Sequence, residues 1–338
     1  KEGTAVSSAQ HAGAVGGQLG YTTGSLHGLK LRTTFMTANP VAIPDNSGSV
    51  ESSIIAQDNA KLPGGTVNDG TKGIDVLGEA YAQYNYANME LWYGRRVIET
   101  PLIDAKEVRL LPSAVQGGMG SIKPTDTTEI AIGYIDRFKQ RTSDRFINIF
   151  EHALGVNTRT VTGDSAGYIV PASVTYNEGA GAARLYDYYA PDFMNSLYGD
   201  AAYSGKLSSV LSYSIAGQML FQNSIGNADS AAAQSLMGGK INARAVGAKA
   251  TLTHQETTLM AAYSHVSSNG GYHDSLVLPW DGTPLFTNML TANNLTMSLY
   301  GAGLESDSAY IGGTTGIKTG ISQKYDFTGI YGITTALS

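Results

Sequence analysis

The chain has 338 residues, of which 42% are hydrophobic and only 15% charged, with 41 glycines, 20 tyrosines, no cysteine and a formal net charge of −6. A negative balance with so few charges, against about 25% in ordinary soluble domains, gives no case for binding to nucleic acid. No apolar run approaches the roughly 20 residues of a membrane helix, while abundant Thr, Ser, Tyr, Val and Ile favour strands. Yet mean hydropathy is only −0.11. A transmembrane β-barrel reconciles these facts, because lipid-facing apolar residues alternate with lumen-facing polar ones. A large soluble all-β protein has the same alternation, so composition leaves both open. The absence of cysteine fits an envelope protein.

Lys1 to His11 is polar and reads as loop. Ala12–Tyr21 and His27–Thr37 form a hairpin, with Leu29, Leu31, Thr33 and Phe35 outside and Lys30, Arg32 and Thr34 inside. Residues 39–72, rich in Pro, Gly, Asn, Asp and Ser, read as a long outer loop. Gly73–Tyr86 is a strand carrying Val76, Gly78, Ala80, Ala82, Tyr84 and Tyr86 on one face and Glu79, Tyr81, Gln83 and Asn85 on the other. A tight turn at Ala87-Asn88 leads into a strand from Leu91, which breaks at Thr100-Pro101. The aperiodic stretch that follows, to about residue 117, holds Asp104, Lys106, Glu107 and Arg109 among Leu102, Ile103, Leu110 and Leu111. A hairpin needs only about two to five connecting residues. This stretch therefore reads as a loop folded against the inside of a closed sheet.

Ser113–Lys123 and Glu129–Arg141 form the next hairpin, in which Arg137, Lys139 and Arg141 share a parity with Ala131 and Gly133. At about 3.3 Å per residue they would stand roughly 7 Å apart along one face. Residues 144–154 have helical spacing at Phe146, Ile149, Phe150, Ala153 and Leu154, with Ser143 or Asp144 as cap and Gly155 as stop. This is expected to be a short helix in an outer loop spanning 142–165. Alternating strands follow from Val170, Leu211, Val246 and Leu259. A second long loop, 267–293, precedes strands at Leu295–Leu304, Thr314–Tyr325 and Gly329–Ser338. The count is fourteen or fifteen strands in one domain, residues 1–338, with Tyr84, Tyr86, Trp92, Tyr93, Tyr134, Tyr176 and Tyr213 suited to interfacial girdles. The chain starts without Met and ends inside a strand, which reads as a processed or partial sequence.

Gly78-Glu79-Ala80-Tyr81, Thr100-Pro101-Leu102, Arg109, Leu111-Pro112 and Gly117 together resemble the OprD family of outer-membrane porins over about residues 73–145. Val108 departs, standing where an acidic or small polar residue often precedes the arginine. The resemblance implies an all-β, antiparallel up-and-down barrel of 16–18 strands when complete, lying in the bacterial outer membrane. It implies inward loops that narrow the pore and a ladder of basic residues for carboxylate-bearing solutes. Arg109 is the closest motif match. Parity adds Arg137, Lys139, Arg141, Lys30, Arg32 and Arg96; Asp104 and Glu107 would face them, and Tyr272, Asp274 and Ser275 would supply the second constriction element. Arg95 and Arg96 are adjacent, so without a bulge only one can face inward. The expected partners are small hydrophilic solutes, outer-membrane lipid and lipopolysaccharide, with monomer and homotrimer both open and no cofactor. An adhesin barrel binding partners through its long loops is the alternative function.

An enzymatic reading fares poorly. Gly163-Asp164-Ser165-Ala166-Gly167 fits G-x-S-x-G, but that signature has meaning only on a strand-to-helix turn, and here strand residues follow. The six histidines lack metal-ligand spacing.

Overall fold

The computed structural model describes residues 14–40, 73–106, 109–288, 310–327 and 330–337. All but the first two residues of the outer loop expected at 39–72, Glu107 and the strand expected at 295–304 lie outside them. The strands are β1 (Ala14–Thr22), β2 (Leu29–Pro40), β3 (Ile74–Tyr86), β4 (Met89–Arg96), β5 (Ala114–Thr125), β6 (Thr128–Lys139) and the two-residue β7 (Ile147–Asn148). They continue with β8 (Val170–Glu178), β9 (Gly181–Ala190), β10 (Met194–Lys206), β11 (Leu211–Ser224), β12 (Asn242–His254), β13 (Thr257–Val266), β14 (Thr315–Phe327) and β15 (Ile330–Leu337). Each pairs antiparallel with its sequence neighbour in one sheet, except that β7 adds to β6 and β6 pairs directly with β8. At one end the connections are turns of two to six residues; at the other they are mostly long. That is the asymmetry of an outer-membrane barrel.

The two faces differ as the alternation requires. Leu19, Leu31, Phe35, Leu91, Ile132, Val174, Leu185, Ile215, Leu259 and Ile317 are exposed on one face. Single exposed apolar residues need no explanation, but a continuous band does, and such a band is what the outer face of a barrel carries. Tyr84, Tyr86, Tyr176 and Tyr203 stand on this face toward the short turns, where amphipathic rings suit an interface. Trp92, expected in that girdle, is instead buried on the opposite face.

That opposite face wraps a core. Trp92 on β4, Val115 on β5, Tyr198 on β10 and Ala245 on β12 belong to one buried cluster, although β4 and β12 lie seven strand steps apart along the sheet. Flat strands would place them roughly 34 Å apart. The sheet therefore curls around the loops, which contribute Leu102, Ile103, Phe150, Phe193, Trp280 and Leu285 to the cluster.

Three local details depart from the expected pattern. In β3 the pairing with β2 skips Gly78, with Thr34 opposite Glu79 and Phe35 opposite Leu77. This bulge turns Ile74 and Val76 inward, where they pack with Met36, Ala38 and Leu111. Val76 is thus not on the outer face, and a Cβ at Gly78 would lie 2.2 Å from the Met36 sulfur. In β6 the residue skipped is Asp136, with Arg137 opposite Gln116 and Ile135 opposite Gly117. Parity flips there, so that Ile135 before the skip and Phe138 after it both face inward and Arg137 is left exposed. The expected row of Arg137, Lys139 and Arg141 along the lumen therefore does not form.

The third detail is the helix. α1 (Ile149–Leu154) is capped by Asn148, whose side chain accepts from the Phe150 and Glu151 amides, rather than by Ser143 or Asp144, and ends at Gly155 as expected. A second short helix, α2 (Thr158–Thr162), follows. Within the connection from β6 to β8, the apolar face of α1 packs into the central cluster. The Gly163–Gly167 segment leaves α2 and enters β8, the reverse of the strand-to-helix order a nucleophile elbow needs.

Candidate functional site

The connection from β4 to β5, residues 97–113, folds inward as expected. Thr100-Pro101 begins a tight turn closed by Thr100 N–H and Oγ1, both donating to the Ile103 carbonyl at 2.9 and 2.8 Å. The loop is then tied at three depths. The Leu102 N–H donates to the Tyr188 hydroxyl at 3.3 Å. Ile103 makes an isolated antiparallel bridge with Asp281, and the Asp104 N–H donates to the Trp280 carbonyl at 3.2 Å. Further on, Leu111 fills the pocket opened by the Gly78 bulge.

The β13–β14 connection supplies the facing half. Its residues 276–286 are held against the wall by two inward glutamines four residues apart on β11. The Gln222 amide donates to the Val277 carbonyl and accepts from its N–H, both at 2.8 Å. The Gln218 amide treats Pro284 O and Phe286 N–H alike, at 3.1 and 3.0 Å. A glutamine amide carries the same donor and acceptor as a peptide, so each acts as a one-residue strand partner. The Trp280 indole donates to Ile149 O at 3.1 Å, joining α1 to the assembly. The two loops touch backbone to backbone, so that a Cβ at Gly282 would stand 2.5 Å from Leu102 Cα. Gly282→Val is expected to push them apart, lowering the temperature of the heat-modifiability shift by an amount consistent with about 1–3 kcal/mol of overpacking.

Where the loops meet, cations surround a buried carboxylate. Asp281, 1% exposed, accepts from the Ser113 hydroxyl at 2.5 Å and pairs with the Arg141 guanidinium. The Arg141 amide in turn donates to Ser113 Oγ at 2.9 Å. Lys106, Arg109 and Lys139 all lie in the field of Asp281. Burial pulls Lys106 down to about 8, against the attraction of Asp281. Burial likewise lowers Arg109, with Arg141 adding to it. Burial raises the Asp104 carboxyl, with Glu99 and Asp281 reinforcing it against the Ala105 amide. Lys139 is fully buried and donates to Pro112 O at 3.0 Å.

Beside this constriction lies a cavity of about 410 Å³ whose lining includes Glu90, Trp92, Arg96, Glu99, Glu129 and Tyr186. Arg96 faces inward, paired with Glu90 at 3.0 Å and standing over the Tyr81 and Trp92 rings at 5.0 and 5.3 Å. Arg95 goes the other way, onto the Phe146 ring. Lys30 and Arg32 lie opposite Gln83 and Tyr81 on the inner face, and Arg32 pairs with Glu79 at 2.9 Å. Glu79 also accepts from Thr34 Oγ1 at 2.6 Å and reaches the Val97 amide at 3.4 Å, so this pair anchors the start of the inward loop.

Tyr272, Asp274 and Ser275 do not join the constriction. Tyr272 is exposed, Asp274 accepts from Ser268 and Asn269, and Ser275 Oγ accepts from the Gly312 N–H at 3.1 Å. They brace their own loop. Arg137 donates to Phe146 O at 3.4 Å on the face of Arg95. Sequence reasoning missed Asp281, Gln218 and Gln222, the Arg184–Asp200 pair (2.5 Å) and the cation pair Lys249 and Lys318. Those lysines sit on either side of Ala262 in register, with Lys249 over the Phe286 ring at 4.9 Å and Lys318 donating to Asn288 O at 2.8 Å. Inward parity could have found them all but Asp281, which sits in an aperiodic loop.

The family model of outer membrane porins of the OprD family matches residues 64–302. Among solved structures, Pseudomonas aeruginosa OpdK with vanillate is similar at 14% identity, covering 92% of this chain and 71% of its own, with a TM-score of 0.68. P. aeruginosa OccK9 (OpdG) is 18% identical, with coverage of 99% and 77% and a TM-score of 0.70. P. aeruginosa OccK2 (OpdF) in complex with glucuronate is 14% identical, with coverage of 90% and 67% and a TM-score of 0.62. No curated protein sequence matches the chain. The inward loop between β4 and β5, the apolar outer band and a family match over most of the sequence agree: the chain belongs to the OprD family of outer membrane porins.

Proposed function

We propose that this porin favours anionic, carboxylate-bearing solutes, with Arg109 as their contact at the constriction. The observation that carries the reading is the excess of cations there: Lys106, Arg109, Lys139 and Arg141 gather around Asp281. A narrow wet passage with low-dielectric walls amplifies one sign of charge and concentrates the opposite one. Arg109 is the least buried of the four, and a guanidinium holds a carboxylate through paired hydrogen bonds. Lys249 and Lys318 extend the positive surface along the wall. The vanillate and glucuronate held by OpdK and OccK2 are both carboxylates, which supports the reading by analogy. The apolar outer face supports direct contact with membrane lipid.

Glu90, Glu99 and Glu129 in the adjoining cavity favour a second reading, in which the solute carries a cationic end as well. A zwitterion would then align across the passage, carboxylate toward Arg109 and ammonium toward the glutamates.

Reversal potential across a salt gradient, in a planar bilayer, tests the preference. Anion selectivity and block of the current by carboxylates are expected. Arg109→Ala is expected to reduce carboxylate flux about fivefold, the equivalent of about 1 kcal/mol for a partly exposed charge contact. Lys123→Ala, at the short-turn end, serves as control. Equal losses in the two variants would remove Arg109 from the site.

A further inference from the structure

The constriction contains a residue that never meets the solvent and still stands to govern what passes. Asp281 is buried, with both carboxylate oxygens engaged by Ser113 and Arg141. Its backbone has φ 63, in the left-handed region that aspartate and asparagine tolerate better than other side chains. Lys106, on the facing loop, also has positive φ, at 44. Two such residues at one loop–loop contact indicate that tertiary contacts hold the backbone there, as the Ile103–Asp281 bridge and the close approach of Gly282 to Leu102 illustrate.

We infer that Asp281 is the specificity-setting residue of this channel: a buried counter-charge that fixes how much of the surrounding positive charge a solute feels. The inference rests on reading the cation cluster as the selectivity element. Among the described residues, four cations, Lys106, Arg109, Lys139 and Arg141, have this carboxylate as their common neighbour, and it sets how far the balance tips to the positive side. Asp104 and Asp144 lie at the edges of the same cluster, acting on Lys106 and Lys139. Removing one negative charge from a low-dielectric wall raises the potential in the passage without altering a single group that a solute touches. Asp281 is therefore a positioning and field-setting residue rather than a contact. Its effect separates from a mechanical one, because Asp281→Asn keeps the shape, the tolerance for positive φ and an acceptor for Ser113 or Arg141.

The experiment compares wild type, D281N and the double variant D281N/R141Q in planar bilayers. It reads the anion-to-cation permeability ratio in KCl and the unitary conductance, with heat-modifiability confirming folded barrels. D281N is expected to raise the ratio on the order of threefold, the effect of one added charge near a partly screened passage, while unitary conductance changes by less. The double variant restores the charge balance and is expected to return the ratio to the wild-type value. A folded D281N barrel with an unchanged or lowered ratio overturns the inference. If D281N alone fails to fold, the double variant decides: a wild-type ratio supports the counter-charge role and a displaced one overturns it. A wild-type channel that is not anion-selective would count against the proposed function. The shift on removing Asp281 would still be read independently.

Discussion

Arg141→Ala is expected to be among the most damaging single substitutions in this chain. Arg141 is 7% exposed and its guanidinium is paired with Asp281, while its amide is fixed by Ser113. Truncating it leaves Asp281 charged, buried and short of a partner. Breaking one side of a buried pair costs about 3–5 kcal/mol, and Lys106 and Lys139 nearby place the expected loss toward the lower figure. The damage is localised to the junction of the two inward loops, so two readouts should move together. The heat-modifiability shift should occur at a lower temperature. Single-channel steps should become larger and noisier, because residues 97–113 and 276–286 then lose the charged tie at their junction and keep the backbone contacts, the glutamine clamps and the apolar cluster. Arg159→Ala removes a pair with Asp164 that is exposed on both sides, and it should change neither. Stable, quiet channels of wild-type size from Arg141→Ala would show that the loops do not depend on this pair.

Much of the architecture was legible because a barrel strand has only one period. Leu29, Leu31 and Phe35 against Lys30, Arg32 and Thr34 place the inner and outer faces of β2 without any tertiary information, and the structure agrees. The inward loop was legible for the same reason in reverse: the stretch after Thr100-Pro101 is too long and too mixed for a turn. What the pattern could not carry was the effect of bulges. One skipped residue at Asp136 moves Arg137 to the face of Arg95 and Phe146, and one at Gly78 turns Val76 inward. Gly78 and Gly117 both stand at these irregularities, and glycine inside an alternating run is the available signal for one. Trp92 fell to the opposite error. Its size and polar handle suit an interface, but its parity with Arg96 placed it in the lumen. The constriction residues were legible only in part. Arg109 and Arg141 carry charges that attract notice, whereas Asp281 and the two glutamines become significant only once the loops that meet them are in place.

Raising the pH should reveal the constriction through two observables that move in opposite directions. Burial lowers Lys106 from its usual value to about 8, so at pH 7 the amine is mostly charged and at pH 9 mostly neutral. If the cation excess selects anions, the permeability ratio should fall between pH 7 and 9 with a midpoint about 8. Lys106→Gln should start lower and lose the Lys106 part of that step. Stability should respond with the other sign. A lysine whose folded value lies below its unfolded value of about 10.4 binds fewer protons folded than unfolded between the two, so the folded state gains as pH rises through that window. Anion selectivity should therefore decline while the heat-modifiability temperature holds or climbs. A simultaneous fall in both would mean that alkali loosens the inward loops. A step that survives undiminished in Lys106→Gln would assign it to another amine, for which Lys139, buried in the same field, is the next to replace.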